Sequence, residues 1–188
     1  MGSWMLYSCF VLSCLVSMSE QCKCYTIHTQ SLVCEPLLVV LEAKIESFSE
    51  TNNDTNYQIS VKKIYKGEGI YSFSDGTTLK TPKNPSACGP VVLKVGSSYI
   101  LSVFVHDDNM HLRLCDIRAS LSNATNALLE GMSGKYLEIC RCQIPSIYAP
   151  AKTGPRTKHQ CGDLPLACNN YDTICSRDND GQCNWQDC

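Results

Sequence analysis

Cysteine usage constrains this chain more than any other feature: 14 of its 188 residues are Cys. That density is several-fold above ordinary usage and approaches the level of a disulfide scaffold. Two of them, Cys9 and Cys14, fall in an N-terminal apolar run, Met5-Leu-Tyr-Ser-Cys-Phe-Val-Leu-Ser-Cys-Leu-Val16. At about a dozen residues the run is shorter than the ~20 needed to span a bilayer. It reads as the hydrophobic part of a secretory signal peptide over residues 1–21, ending in the small-residue stretch Ser17-Met-Ser19. A buried core helix is the alternative, but nothing charged alternates with the run. No later segment is long and apolar enough for an anchor, so a secreted, extracellular product without a membrane span is expected. Removing the leader leaves 12 Cys. An even number in an oxidising compartment points to disulfides before metal ligands or catalytic thiols. Two sequons, Asn53-Asp-Thr55 and Asn123-Ala-Thr125, are candidate glycosylation sites in the same compartment.

The Cys distribution divides the mature chain. Cys22, Cys24, Cys34, Cys88, Cys115 and Cys140 are widely spaced, whereas Cys142, Cys161, Cys168, Cys175, Cys183 and Cys188 crowd the C-terminal end. The expected organisation is a core-forming domain over 22–140 and a short cysteine-rich subdomain over 141–188, too small to fold without staples. Pro145 to Pro155 reads as a turn-rich linker between them. Charged residues make up 18% of the chain and the formal charge is −2, so no basic stripe supports nucleic-acid binding. A monomer is the default.

The first domain reads mainly as β. Leu37 to Ile45 is an apolar run fit for a strand buried on both faces. Tyr57, Ile59 and Val61 alternate with polar residues, giving a strand with one wet face. Ser98 to Val105 and Met110 to Cys115 flank His106-Asp-Asp-Asn109 as a hairpin, and Ile70 to Phe73 pairs with Thr77 to Thr81 about Asp75-Gly76. One helix is predicted over Leu121 to Met132, capped by Ser120. Five short strands with one helix predict a small closed barrel, for which the oligonucleotide/oligosaccharide-binding (OB) type is one option.

Enzyme signatures fail. There is no His-Glu-x-x-His, no Gly-x-Ser-x-Gly and no phosphate-binding Gly loop. His28, His106, His111 and His159 stand alone in sequence, and surface or hydrogen-bonded histidine is the simpler reading. The informative spacing is Cys22-Lys23-Cys24, followed by His28, Gln30 and Cys34. Three readings stay open: Cys residues anchoring an N-terminal segment to the barrel, a zinc site, or a chain end whose chemistry depends on leader cleavage. If cleavage exposes Cys22, its neutral α-amine and its carbonyl oxygen can chelate an open catalytic zinc in another protein.

The pattern Cys22-x-Cys24-x-x-x-His28-x-Gln30-x-x-x-Cys34 resembles the start of a tissue inhibitor of metalloproteinases. The resemblance continues through Ala43-Lys44, Tyr57 to Gly67 with its Tyr-Lys-Gly ending, Ser86-Ala-Cys88-Gly89 and Tyr99-Ile-Leu. It resumes at Met110 to Asp116, Cys140-Arg-Cys142, Cys175 and Gly181-Gln-Cys183-Asn-Trp185. It implies an OB-like, netrin-type five-stranded barrel with bridges Cys22–Cys88, Cys24–Cys115 and Cys34–Cys140, plus a small C-terminal subdomain. It also implies a ridge of Cys22, Lys23, Cys24, Tyr25, Ser86, Ala87 and Cys88 that fills the cleft of a zinc metalloproteinase. The targets would be matrix metalloproteinases and related adamalysins, with Cys22 binding the protease's zinc. No cofactor of its own and no turnover are expected.

Three departures from the family pattern bear on function. Lys23 stands where the family has a small hydroxyl residue, and a buried ammonium costs several kcal/mol unless paired or snorkelling; Thr26 replaces a common Pro. In the C-terminal part a close Cys pair after Cys142 is missing, while Cys168 and Cys188 appear. Cys142–Cys183, Cys161–Cys175 and Cys168–Cys188 are the expected bridges there. Finally, Gln21 precedes Cys22, and cutting after Ser19 satisfies the small-x-small rule better. That cut would leave Glu20-Gln21 in front of Cys22 and block the chelate. The alternative to an inhibitor is therefore a netrin-like binding module without protease inhibition.

Overall fold

The apolar run after Leu37 becomes the first strand of the sheet because β-branched residues there face protein on both sides. The computed structural model describes residues 22, 24, 28–69, 73, 76–107, 109–144, 157–165, 168 and 173–186. The expected leader and the linker expected over Pro145 to Pro155 lie outside them. Strand β1 (Leu38–Glu50) turns into β2 (Asp54–Lys66) through a tight loop. Thr51 closes that loop: its N–H and Oγ1 both donate to the Asp54 carbonyl, and the Asp54 N–H donates to Oγ1. Then come β3 (Thr77–Pro82), β4 (Ser98–His106), β5 (Asn109–His111) and β6 (Arg118–Ser120).

Pairing runs β1-β2-β3-β5-β4, and β4 returns to β1, so five strands close into a barrel while β6 adds to the outer edge of β4. Every pairing is antiparallel except β3 with β5. Register shifts in the β1–β2 ladder after Val40, Glu42 and Ile45 mark bulges. Such bulges bend long strands enough to close a small barrel. Along β1 the alternation sorts the core: Val39, Leu41, Ala43 and Ile45 fill the barrel with Ile59, Leu79, Leu101, Val103 and Met110. Val40 points the other way, into a second cluster with Val33, Ile100, Leu128, Met132 and Tyr136. The strand is thus buried on both faces over residues 38–41, with 46–50 exposed, and Leu37 before it is 69% exposed.

Several elements differ from expectation. The 121–132 segment is not one helix: a 3-10 turn (Leu121–Asn123) precedes α2 (Asn126–Glu130), a π-turn (Gly131–Lys135) and α3 (Tyr136–Glu138). The reason is a better cap inside the run. Thr125 is extended and its side chain accepts the Leu128 N–H at 3.2 Å, while Ser120 makes no capping bond. The expected strand Met110 to Cys115 shortens to β5. β3 pairs with β2 and β5; residues 70–72 lie outside the described set. A short helix, α1 (Thr29–Cys34), follows the N-terminal Cys pair, and the C-terminal part contributes a hairpin, β7 (Ile174–Arg177) and β8 (Cys183–Gln186).

Five bridges staple these elements: Cys22–Cys88, Cys24–Cys115, Cys34–Cys140, Cys142–Cys183 and Cys161–Cys175. The loops they close run from 14 to 106 residues. Each contributes ~2–4 kcal/mol by restricting the unfolded chain. Cys168 is also disulfide-bonded, and Cys188 lies outside the described residues.

Candidate functional site

The loop after β3 carries an Asn-Pro pair, a turn former that starts a compact projection. Asn84 is extended and its Oδ1 accepts the Ser86 N–H at 2.9 Å, capping a single 3-10 turn, Pro85–Ala87. Asn84, Pro85, Ser86 and Ala87 are all exposed. Cys88 then takes a left-handed conformation, φ 61°. A side chain there costs of order 1 kcal/mol, and three contacts hold it in place. The Cys88 N–H donates to Pro85 O at 3.1 Å, its carbonyl accepts the Leu114 N–H at 2.7 Å, and its sulfur is bridged to Cys22. Gly89 leaves the turn so close to β3 that a Cβ would stand 1.6 Å from the Pro82 carbonyl oxygen, so only glycine fits.

The segment that carries Cys22 and Cys24 is drawn onto this projection. The Cys22 and Cys88 Cα atoms are 4.9 Å apart, and those of Cys24 and Cys115 are 5.0 Å apart. The two bridges touch, with Cys22 Sγ 3.7 Å from Cys115 Sγ. The Cys22 N–H donates to the Pro85 carbonyl at 3.3 Å. Cys22, Cys24, Ser86, Ala87 and Cys88 therefore form one ridge, with Cys24 exposed and Cys22 half-buried. Lys23 and Tyr25 lie outside the described residues. Asn84 and Pro85 belong to the ridge although sequence reading passed over them; the Asn-Pro dipeptide was the available signal.

Metal chemistry has one candidate among the described residues. The sulfurs of Cys22, Cys88 and Cys115 lie within 4.8 Å of one another. All three are in disulfides, which offer no thiolate, and the thiolate is the form that binds zinc. The ridge thus has backbone groups and small side chains to present to a partner. Among its described residues no nucleophile is paired with a base.

A family model for tissue inhibitor of metalloproteinase matches residues 20–185. The chain belongs to this family. Its members are metalloproteinase inhibitors and not enzymes, and they are extracellular proteins, a setting in which disulfides persist. Among the described residues no helix is long and apolar enough to cross a membrane.

The His28-x-Gln30 part of the N-terminal pattern has a structural role of its own. The His28 Nδ1 accepts the Gln30 N–H at 3.1 Å and caps α1, so the neutral ring carries its proton on Nε2. That nitrogen faces Thr173 Oγ1 at 3.1 Å. The Gln30 side chain pairs with the backbone of β7: Nε2 donates to the Cys175 carbonyl at 2.9 Å, and Oε1 accepts the Cys175 N–H at 3.0 Å. Trp185 of β8 packs on the His28 ring at 5.0 Å between centroids. Ile174 enters the cluster shared by β1, β4 and the helices. Burial pushes the His28 imidazole down to about 4, against a smaller opposing effect of a hydrogen bond with the Thr173 backbone. The segment behind the ridge is therefore clamped by the C-terminal hairpin, a contact that no sequence signal revealed.

Proposed function

We propose that this protein is a secreted inhibitor of zinc metalloproteinases of the matrix type. In this reading the α-amine and carbonyl of Cys22 chelate the protease's catalytic zinc in place of its water. The single observation that carries the reading is the Cys22–Cys88 staple beside the exposed Pro85–Ala87 turn. It holds a chain end against a rigid projection narrow enough to enter a cleft. An amine at Cys22 that donates one hydrogen to the Pro85 carbonyl keeps its lone pair for a metal, provided it is unprotonated. An ordinary α-amine titrates near 8, and zinc competes for the same lone pair. Preorganisation adds affinity, because the ridge has little freedom left to lose on binding. In this reading the ridge occludes the zinc and no turnover follows. Lys23 would face the primed-side pocket and shift target preference, and Tyr25, Ser86 and Ala87 would line the neighbouring subsites.

The test is the N-terminal residue of the secreted protein, read together with inhibition of a matrix metalloproteinase catalytic domain. A Cys22 start with inhibition, lost when the α-amine is carbamylated, supports the reading. A start at Glu20, favoured by the small-x-small pattern Ser17-Met-Ser19, converts that amine into an amide. In that form the scaffold serves as a binding module without zinc occlusion.

A further inference from the structure

The turn after β5 touches both halves of the ridge. Leu114 donates its N–H to the Cys88 carbonyl at 2.7 Å, and the next residue, Cys115, is bridged to Cys24. The turn thus meets the Pro85–Cys88 projection by a hydrogen bond and the Cys22–Cys24 segment by a covalent link. Its own shape depends on one side chain. Asp116 Oδ2 accepts the Arg113 N–H at 2.7 Å, and the Asp116 N–H donates to the Arg113 carbonyl at 3.1 Å, so the turn is closed twice. The Asp116 side chain is only 3% exposed. Burying a carboxylate is costly unless hydrogen bonds use it, and here the backbone N–H makes the shortest contact. The Arg113 guanidinium approaches no closer than 3.4 Å and is itself exposed, so it adds little. Beyond Asp116, the Ile117 N–H donates to Ser102 Oγ at 2.7 Å and the Ile117 carbonyl accepts the Ser102 N–H at 3.0 Å. The carboxylate therefore sits between a strand of the barrel, β4, and the residues that reach the two bridges.

We infer that Asp116 is a positioning residue of the ridge, an inference that rests on the inhibitor reading above. Through the Arg113 N–H it fixes Leu114 and Cys115, and through them the Cys88 carbonyl and Cys24. Without an acceptor at position 116 the Arg113 N–H loses its partner and the turn loosens. Cys88, left-handed and bridged to Cys22, then loses the Leu114 contact that helps hold it. The bridges stay intact, but the ridge gains freedom that docking has to remove, so affinity falls while the barrel stands. The acceptor matters and the charge does not. Asp116→Asn keeps an oxygen for the Arg113 N–H and preserves the ridge; Asp116→Ala does not.

The experiment compares the full secreted chain with Asp116→Ala and Asp116→Asn. Amide hydrogen exchange is followed at Leu114 and Cys88, with amides of β1 and β4 as the internal reference. Inhibition of a matrix metalloproteinase catalytic domain is measured on the same samples. In Asp116→Ala, exchange at Leu114 and Cys88 should quicken about tenfold relative to the barrel, the loss of one hydrogen bond. Its inhibition constant should rise about tenfold as the ridge loses preorganisation. Asp116→Asn should stay within about twofold of the native protein in both readouts. A residue that only stabilised the fold would quicken turn and barrel together and leave inhibition by the folded protein unchanged. That pattern overturns the proposal, as does an Asn variant as loose as the Ala variant. If neither variant is secreted, native-state exchange of the unaltered protein decides. Leu114 and Cys88 should then open with one shared denaturant dependence, distinct from that of the barrel, and unrelated openings overturn the proposal. If no form inhibits, the unaltered protein included, the inhibitor reading falls by itself, and the exchange data still tell whether Asp116 holds the projection.

Discussion

Acidification should weaken this protein through His28, and the size of the effect follows from its surroundings. The residue is 4% exposed and its imidazole is pushed down from 6.5 to about 4 by burial. In the fold the ring stays neutral, because Nδ1 must accept the Gln30 N–H. In the unfolded chain it takes up a proton near 6.5. The unfolded state therefore binds more protons between the two values. The stability contributed by neutral His28 is complete above 6.5 and is lost as pH falls towards about 4. At about 1.4 kcal/mol per tenfold, the gap corresponds to about 3 kcal/mol, a large share of a typical domain's margin. The perturbation is His28→Asn, which keeps a capping oxygen for the Gln30 N–H but removes the titrating ring. The assay is urea unfolding of the disulfide-intact protein between about pH 7 and about pH 4, followed by Trp185 fluorescence. Trp185 is the sole Trp after residue 21, and its ring lies 5.0 Å from His28. His111, also lowered chiefly by burial, contributes a slope of the same sign in both proteins, so only the difference between them is diagnostic. Wild type should lose about 3 kcal/mol more than the variant across this interval. Equal losses would refute the argument.

Other outcomes follow from single contacts. Gly89→Ala places a Cβ 1.6 Å from the Pro82 carbonyl and should cost several kcal/mol or prevent secretion, read by yield and unfolding. Gln30→Ala removes both bonds to Cys175 and should destabilise by about 2 kcal/mol, with faster amide hydrogen exchange at Cys175 and Ser176. Thr125→Ala deletes the cap of α2 at a cost of about 1 kcal/mol. It also deletes a sequon, so Asn123→Gln is its control. If the inhibitor reading holds, Lys23→Thr should tighten inhibition about tenfold or more by removing a charge from an apolar pocket, measured as the inhibition constant of the Cys22-started form.

Most of the scaffold was legible in the residues because its causes are local. The both-faced burial of β1 shows in the Val- and Leu-rich run, and the one wet face of β2 in its alternation. The Cys count marked a heavily stapled chain. Where local rules competed, the reading slipped. Ser120 and Thr125 both satisfy a capping rule, and only the extended backbone at Ala124 and Thr125 decided between them. The partners of β3 were also hidden, because Asp75-Gly76 signals a turn without saying which strand lies beyond it.

The candidate site divides the same way. Cys22-x-Cys24 and Ser86-Ala-Cys88 are short patterns that can be read in the amino-acid sequence, although the bridges from Cys22 and Cys24 reach 66 and 91 positions along the chain. Only the tertiary structure decided that Pro85 receives the Cys22 amide, that the hairpin tip at Asn53 leans on Lys83, and that Gln30 reads the backbone of β7 across 145 positions. These are contacts between backbone groups and single polar side chains far apart in the chain. Backbone groups are the same at every residue, so sequence patterns carry no record of which ones meet; barrel closure and the disulfides choose them.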